Sequence, residues 1–270
     1  MGRELHFWGG ALKHRIWQLG TLFCLASSAH AGLLVYYPFN SNANDYSGNG
    51  YNLTLSGGAA IVPGGRFGGA LSLANGVSVS NDYAIGSTHD GALDFGAGDF
   101  TIQVWVNFNS FSQQQVLIEQ FNGASGPGWT LTEISPNDLQ FYGDPGLSGP
   151  SLDVNPNFTS STWYQVIVES SGGTDSIFIN GALAGSAPAG TIPVGTNPLL
   201  IGQRDAGDGR NFGLNSLVDD VAIWNYALTP EQIAYLQSNP VESVPEPTTF
   251  WLLASGGLLT VWTRRRRPAA

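Results

Sequence analysis

Cysteine is nearly missing from this sequence: Cys24 is the only one in 270 residues. A lone thiol closes no internal disulfide. Lysine is as rare, with Lys13 alone. Both fall in the first 31 residues, so the rest of the chain offers no thiol or amine nucleophile. Histidine is scarce too. His6, His14 and His30 lie at the same end, which leaves His89 in a Gly-Ser-Thr-His-Asp-Gly stretch. One imidazole builds no His-rich zinc site, and this one reads as a surface-loop residue. No Gly-x-Ser-x-Gly elbow occurs. Gly64 to Gly69 has the spacing of a phosphate-binding loop, but Ala70-Leu71 stand where Lys-Ser/Thr is required. These absences argue against an enzyme.

What is abundant points to β-structure. Glycine numbers 36 and proline 15, while hydrophobic residues reach 42% and charged ones only 11%. Many turn formers among β-branched and aromatic runs suggest an all-β protein with a real core. Single sandwiches often reach ~200–250 residues, so one domain suffices.

The two ends stand apart from that domain. Residues 1–31 have the form of a secretory signal peptide. Arg3, Lys13 and Arg15 precede a short apolar run from Ile16 to Ala26, and Ala29-His30-Ala31 supplies the cleavage site through Ala29 and Ala31. The run is too short for a spanning anchor. Phe23 stands before Cys24 where lipidation needs a small residue. At the other end, residues 239–247 read as a linker ending in Pro245-Glu246-Pro247. The apolar stretch 248–263 follows as a transmembrane helix, then Arg264 to Arg267 in a 264–270 cytoplasmic tail. Such a helix spans ~24 Å at 1.5 Å per residue, a little short of a ~30 Å hydrocarbon core. Physically this is a stop-transfer element.

Residues 32–244 hold only Arg66, Arg204 and Arg210 against eighteen acidic residues, a net charge of −15. Such a surface repels nucleic acid and anionic lipid.

Within 32–238 the pattern is one of short strands. Leu33 to Tyr37 opens. Phe100, Ile102, Val104, Val106 and Phe108 share one face, with Thr101, Gln103, Trp105 and Asn107 on the other, the period of a half-buried strand. Further strands are expected at 116–118, 129–134, 139–142, 164–168, 199–201 and 217–224. Asn180-Gly181 joins 176–179 to 182–184 as a type I′ hairpin. Thr229, Pro230 and Gln232 predict a short helix with a capping box, and Leu228 and Ile233 stand at staple spacing. No repeat or linker splits the region.

Several segments carry family resemblances. Tyr37-Pro38-Phe39-Asn40, Asn44 to Gly50, Arg66 to Leu71, Asp99 to Val106, Thr162 to Val166, Ile179 to Gly185 and Val218 to Leu228 occur in order. Together they resemble laminin G-like, concanavalin A-like domains. The resemblance implies a two-sheet antiparallel jelly-roll sandwich and no single function, since relatives bind sugars, bind proteins or accompany enzymes. Laminarinase-type hydrolases of this fold carry an E-x-D-x-E strand, whereas Glu119, Glu133 and Glu169 each stand alone here. The order Pro-Glu-Pro, apolar helix, arginine cluster is similar to the PEP-CTERM sorting signal. It implies an exosortase-type membrane enzyme as partner in a Gram-negative-type bacterium. The product is then released or attached at the cell surface, often in polysaccharide matrix, after transient anchoring by residues 248–263.

The candidate sites are few. Asp45 with Asp219 and Asp220 would suit a structural Ca²⁺ ion, as in several relatives. Asp219 shares parity with Val221 and Ile223, so it is expected to point to the core side. The alternative is that these carboxylates only accept loop hydrogen bonds. Asp205 and Asp208 form a second acidic loop, more simply a solvated one. Trp105 and Trp163 face away from their apolar neighbours, either on a sugar-stacking face or packed under loops. Tyr142, Phe212 and Arg210 are further ligand candidates. Two functions remain open: a non-enzymatic module binding extracellular polysaccharide, or a structural, adhesive matrix protein making protein contacts.

Overall fold

The structure, a computed structural model, describes residues 32–75, 81–86, 90–121, 126–143, 151–204 and 212–243. The signal segment with Ala29 and Ala31, His89, Asp205, Asp208, Arg210, Pro245-Glu246-Pro247 and the apolar stretch 248–263 lie outside the described residues. Among the described residues no helix is long and apolar enough to cross a membrane.

Five strands come first: β1 (Leu33–Tyr37), β2 (Leu53–Ser56), β3 (Ala60–Pro63), β4 (Gly69–Ala74) and β5 (Tyr83–Gly86). The middle of the chain gives β6 (Phe100–Phe108), β7 (Gln115–Phe121), β8 (Gly128–Ser135), β9 (Asp138–Tyr142) and β10 (Ser151–Val154). The last five are β11 (Trp163–Ser171), β12 (Thr174–Ile179), β13 (Ala182–Pro188), β14 (Leu200–Ile201) and β15 (Asn215–Trp224). One helix, α1 (Pro230–Leu236), and a single 3₁₀ turn at Val241–Ser243 end the described chain.

The strands form two antiparallel sheets. The front sheet runs β13-β12-β11-β6-β15-β4-β3, with β1 also beside β15. The back sheet runs β10-β9-β8-β7-β14-β5-β2. Alternation fills the space between them: Phe100, Ile102, Val104, Val106 and Phe108 of β6 meet Leu117, Trp129, Leu131, Leu139 and Phe141 in one core cluster. The Phe95 ring stacks on Phe100 at 4.2 Å and on Trp129 at 5.6 Å. The Trp129 indole N–H donates to the Leu93 carbonyl, which satisfies the polar atom that the ring carries inward.

β6 was expected to be half-buried, yet both its faces are covered. Two segments cover its outer face: the 64–68 loop, through Arg66 and Phe67 on Trp105, and the C-terminal segment beside it. Thr229 caps α1 with a full capping box, and Pro230 opens it. The apolar side of that helix (Ile233, Leu236) packs with Leu228, Val241, Tyr36, Ile167, Ala222 and Trp224 on the outer face of the front sheet. The Asn180-Gly181 turn has positive φ at both residues, 50° and 71°, as a type I′ turn demands. It sits against Gln237 at the end of α1, whose side-chain amide donates to the Asn180 carbonyl. A second small core therefore lies outside the sandwich.

β15 carries the one irregularity that matters most for the site. Its first half pairs with β4 (Val218 opposite Leu71) and its second half with β1 (Val221 opposite Tyr37). On its other side it pairs with β6 throughout, with a bulge between Asp219 and Ala222. Asp220 absorbs that bulge with a left-handed φ of 45°. The extra residue resets the alternation. Val218, Val221 and Ile223 face the core, while Asp219 lies opposite Trp105, whose strand neighbours Val104 and Val106 face the core. The expected core-side orientation of Asp219 is thus corrected: parity counted across a bulge fails.

Candidate functional site

The acidic bulge sits where the neighbour of β15 changes from β4 to β1. At such a junction backbone N–H groups lose their strand partner and need another acceptor. Asp219 supplies one: its Oδ2 accepts from the Phe67 N–H at 2.8 Å and its Oδ1 from the Asp220 N–H at 2.7 Å. Asp220 is the second hub. Its Oδ1 accepts from the Tyr36 hydroxyl at 2.8 Å and the Val241 N–H at 3.4 Å, and its Oδ2 from Gln103 Nε2 at 3.0 Å. A Cβ at Gly69 would run into the Phe39 carbonyl, so the start of β4 and the segment after β1 approach too closely for any side chain there. Burial pushes the Asp219 carboxyl up to about 6, against the backbone hydrogen bonds that favour its anion. Burial likewise pushes Asp220 up to about 7, with the Asp219 charge adding to it.

Asp45 stands on the other side of Tyr36. Its carboxylate accepts from the N–H groups of Tyr36, Ser47 and Tyr51 and from the Ser47 hydroxyl, at 2.8 to 3.0 Å. It ties the Asn-rich loop 40–52 to β1. Asp45 takes the Tyr36 N–H, Asp220 its hydroxyl, and Asp219 adjoins Asp220, but the three do not converge on a shared point. Every one of their six carboxylate oxygens already accepts an N–H or O–H proton. Calcium needs about six to eight oxygens gathered around one point. Among the described residues no group of three or more acidic, His or Cys side chains is placed to hold a metal ion. The residues present do not fit a common Ca²⁺ site.

Trp105 and Trp163 belong to the same outer face of the front sheet, in register with Gln165 and Asn107. Neither is a free platform. Trp105 is 4% exposed. The Arg66 guanidinium lies 4.6 Å from its ring centre and Phe67 meets it edge-on at 5.8 Å. Arg66 also donates to the Gln237 carbonyl at 2.9 Å, so the 64–68 loop is pinned to the end of α1 over the indole. Trp163 is half-buried.

A different cluster lies on the outer face of the back sheet. Glu119 on β7, Thr130 and Thr132 on β8, and Tyr142 on β9 point the same way, since Glu119 pairs with Thr130 and Thr130 with Tyr142. Arg204, just after β14, reaches over them. Its Nε lies 3.4 Å from Glu119 Oε2, and its Nη2 donates to the Tyr142 hydroxyl at 2.7 Å. The guanidinium carbon is 5.4 Å from the Phe121 ring, 5.9 Å from Tyr142 and 5.1 Å from Phe212. Thr130 donates to Glu119 at 3.0 Å. Glu119 and Arg204 are 0% and 3% exposed, so the pair is desolvated. This floor combines a planar cation, ring faces and hydroxyls, but it is as closed as Trp105, with Phe121, Tyr142 and Arg204 0%, 5% and 3% exposed.

The structure thus places Tyr142 and Phe212 together and sets Trp105 and Trp163 on the opposite sheet. Arg210 lies in the segment 205–211, outside the described residues. Glu119 and Arg204 went unrecognised as a pair. A signal existed: Glu119 interrupts an apolar run, a buried carboxylate wants a cation, and residues 32–244 hold only three. A shallow depression of about 420 Å³ at the β3 edge, lined by Asn40, Ser41 and Ile61 to Pro63, carries no titratable side chain.

No carboxylate pair suited to glycoside hydrolysis stands out among the described residues. Glu133 pairs across the ladder with Gln115, whose Nε2 donates to it at 2.9 Å, and burial raises it to about 7. Glu119 is held by Arg204 instead.

Fold and ladder define a two-sheet lectin-type sandwich. The family model of the concanavalin A-like lectin/glucanases superfamily matches residues 79–234, and the chain belongs to that superfamily. The PEP-CTERM protein-sorting motif matches residues 243–267 and implies export and sorting to the cell envelope or beyond. No match is found among curated proteins. Among solved structures, one from work on botulinum neurotoxin type C aligns at TM-score 0.59 and 18% identity, over 77% of this chain and 51% of that one. The binding domain of Paraclostridial Mosquitocidal Protein 1 aligns at 0.60 and 19%, over 77% and 52%. The binding domain of botulinum neurotoxin DC, in complex with rat synaptotagmin II, aligns at 0.58 and 19%, over 78% and 52%. This chain spans about half the length of those structures, and identities so low establish a shared fold.

Proposed function

We propose that the protein is an exported, non-enzymatic binding module of the cell surface or matrix, and that its ligand is an extracellular polysaccharide. Its tail is sorted by an exosortase-type membrane enzyme, after transient anchoring through residues 248–263. The observation that carries the reading is the two-sheet concanavalin A-like sandwich followed by a sorting motif. On its back sheet the buried Arg204, held by the Tyr142 hydroxyl and lying between the Phe121 and Phe212 rings, fixes the chain at 204 and 212 where the ligand would seat. The fold relationship supports it: cell entry of botulinum neurotoxin type C is dependent upon interaction with two ganglioside molecules. The test is retention of the full exported chain on a broad glycan array, with Arg204→Met alongside. Binding to one glycan class that the variant loses supports the reading; no retention on any glycan sinks it.

A second reading has its own observation. β13 is an edge strand, largely exposed, and its sequence from Ala182 to Pro188 carries no charge. Leu183 is 59% exposed on it. Uncharged edges favour strand addition, which suits a structural, adhesive matrix protein. Capture of matrix proteins that a Leu183→Lys variant loses, with no glycan retained, favours this alternative.

A further inference from the structure

The chain was expected to trail off as a linker from residue 239, yet it stays on the domain to Ser243. Val241 is 1% exposed and belongs to the cluster of Tyr36, Trp224, Ile233 and Leu236. Its N–H donates to Asp220 Oδ1 at 3.4 Å, the same oxygen that takes the Tyr36 hydroxyl at 2.8 Å. Asn239 donates back to the Tyr235 carbonyl at 2.9 Å, which folds the approach to Val241 onto α1. The bulge residue Asp220 is thus a fastening point for the last turn of the chain before the sorting motif.

The sequence beyond leaves little slack. Only residues 244–247, Val-Pro-Glu-Pro, separate Ser243 from the apolar stretch at Thr248. Fully extended, at ~3.3–3.6 Å per residue, the five peptide units from Ser243 to Thr248 reach about 17 Å. Two of those four residues are proline, a residue that favours extended backbone in linkers. An anchored tail would therefore tether Ser243 within about 17 Å of the apolar stretch. A processing enzyme that must take an extended peptide around Pro245-Glu246 meets a folded domain at once on the N-terminal side.

We infer that Asp220 and Val241 form a latch that holds the C-terminal turn on the domain, and that the membrane processing enzyme works on the sorting motif after this latch opens. Asp220 is a positioning residue here, acting through the backbone of Val241. The inference rests on the reading of the tail as a processed sorting signal.

The test follows conversion of the full-length protein to its tail-free form by pulse-chase in a host that carries the sorting machinery. Four chains are compared: wild type, an eight-residue Gly/Ser insertion between Ser243 and Val244, Asp220→Gly and Asp220→Asn. Glycine suits the left-handed φ of 45° but offers no acceptor, whereas asparagine suits it and keeps one. The insertion leaves the folded domain untouched, so it reports even where Asp220→Gly folds poorly. The lost hydrogen bond alone sets the scale for Asp220→Gly, about five-fold faster conversion. The insertion also bypasses the exposure of the buried valine and is expected to speed conversion at least about thirty-fold. Asp220→Asn is expected to match wild type. Equal rates for wild type and the insertion chain overturn the role of the latch. No conversion in any chain overturns the processing reading instead. In the purified wild-type chain the Val241 amide is expected to exchange as slowly as strand amides; fast exchange there overturns the latch itself.

Discussion

Replacing Glu119 by glutamine tests whether the Arg204 floor is held by charge. The carboxylate and guanidinium are 0% and 3% exposed and 3.4 Å apart through Nε. Removing one partner of a buried pair costs ~3–5 kcal/mol, because the other charge stays desolvated. Two features reduce this here. The contact is single, not forked, and Arg204 keeps Tyr142 at 2.7 Å with three rings around it. Ring contacts of this kind contribute ~0.5–2 kcal/mol each way. The expected loss for Glu119→Gln is about 3 kcal/mol, a sizeable part of the ~5–15 kcal/mol that holds a domain. Denaturant unfolding of wild type, Glu119→Gln, Arg204→Met and the double variant measures it. The double variant buries no unpaired charge, so it is expected to be about 2 kcal/mol more stable than the sum of the single losses implies. Additivity within ~0.5 kcal/mol would refute the argument.

Other outcomes follow from the same geometry. Asp220 and Asp219 have carboxyls raised by burial to about 7 and about 6. The folded state then holds protons that the unfolded chain releases near pH ~4, so stability falls as pH rises through 6 and 7. Melting curves at pH 5 and pH 8 should show a lower midpoint at pH 8, and Asp220→Asn should narrow the gap; a higher midpoint at pH 8 would contradict the burial argument. Asp45→Ala removes an acceptor of four hydrogen bonds. Its expected cost is about 2–4 kcal/mol, the same in calcium buffer and in chelator, because the carboxylate acts on N–H and O–H groups; a calcium-dependent difference would restore a metal role. Gly181→Ala, at φ 71° and against the Gln237 side chain, should lower stability by about 1–2 kcal/mol in the same unfolding assay.

Strand alternation was readable wherever it was unbroken. The β6 face from Phe100 to Phe108, the Asn180-Gly181 hairpin and the capped helix at Thr229 all follow from local pattern and turn chemistry. Strands β2 to β5 were not anticipated, because Gly-rich segments such as Gly64 to Gly69 carry little period-two signal. Asp219 shows how one inserted residue defeats parity: its pattern matched the core side, and the bulge turned it outward. Trp105 looked outward by alternation, as it is, but alternation alone says nothing of the Arg66-Phe67 loop that covers it. The Glu119–Arg204 pair joins residues 85 apart in sequence, a contact that only the ladder between β7 and β14 creates.

The most direct test of the account is a glycan-array measurement on the exported full-length protein, run in calcium and in chelator, with acidic and neutral extracellular glycans. The account predicts retention on at least one glycan class, equal in both buffers, and lost in a folded Arg204→Met variant. Absence of retention on every glycan, or retention untouched by that variant, would contradict it.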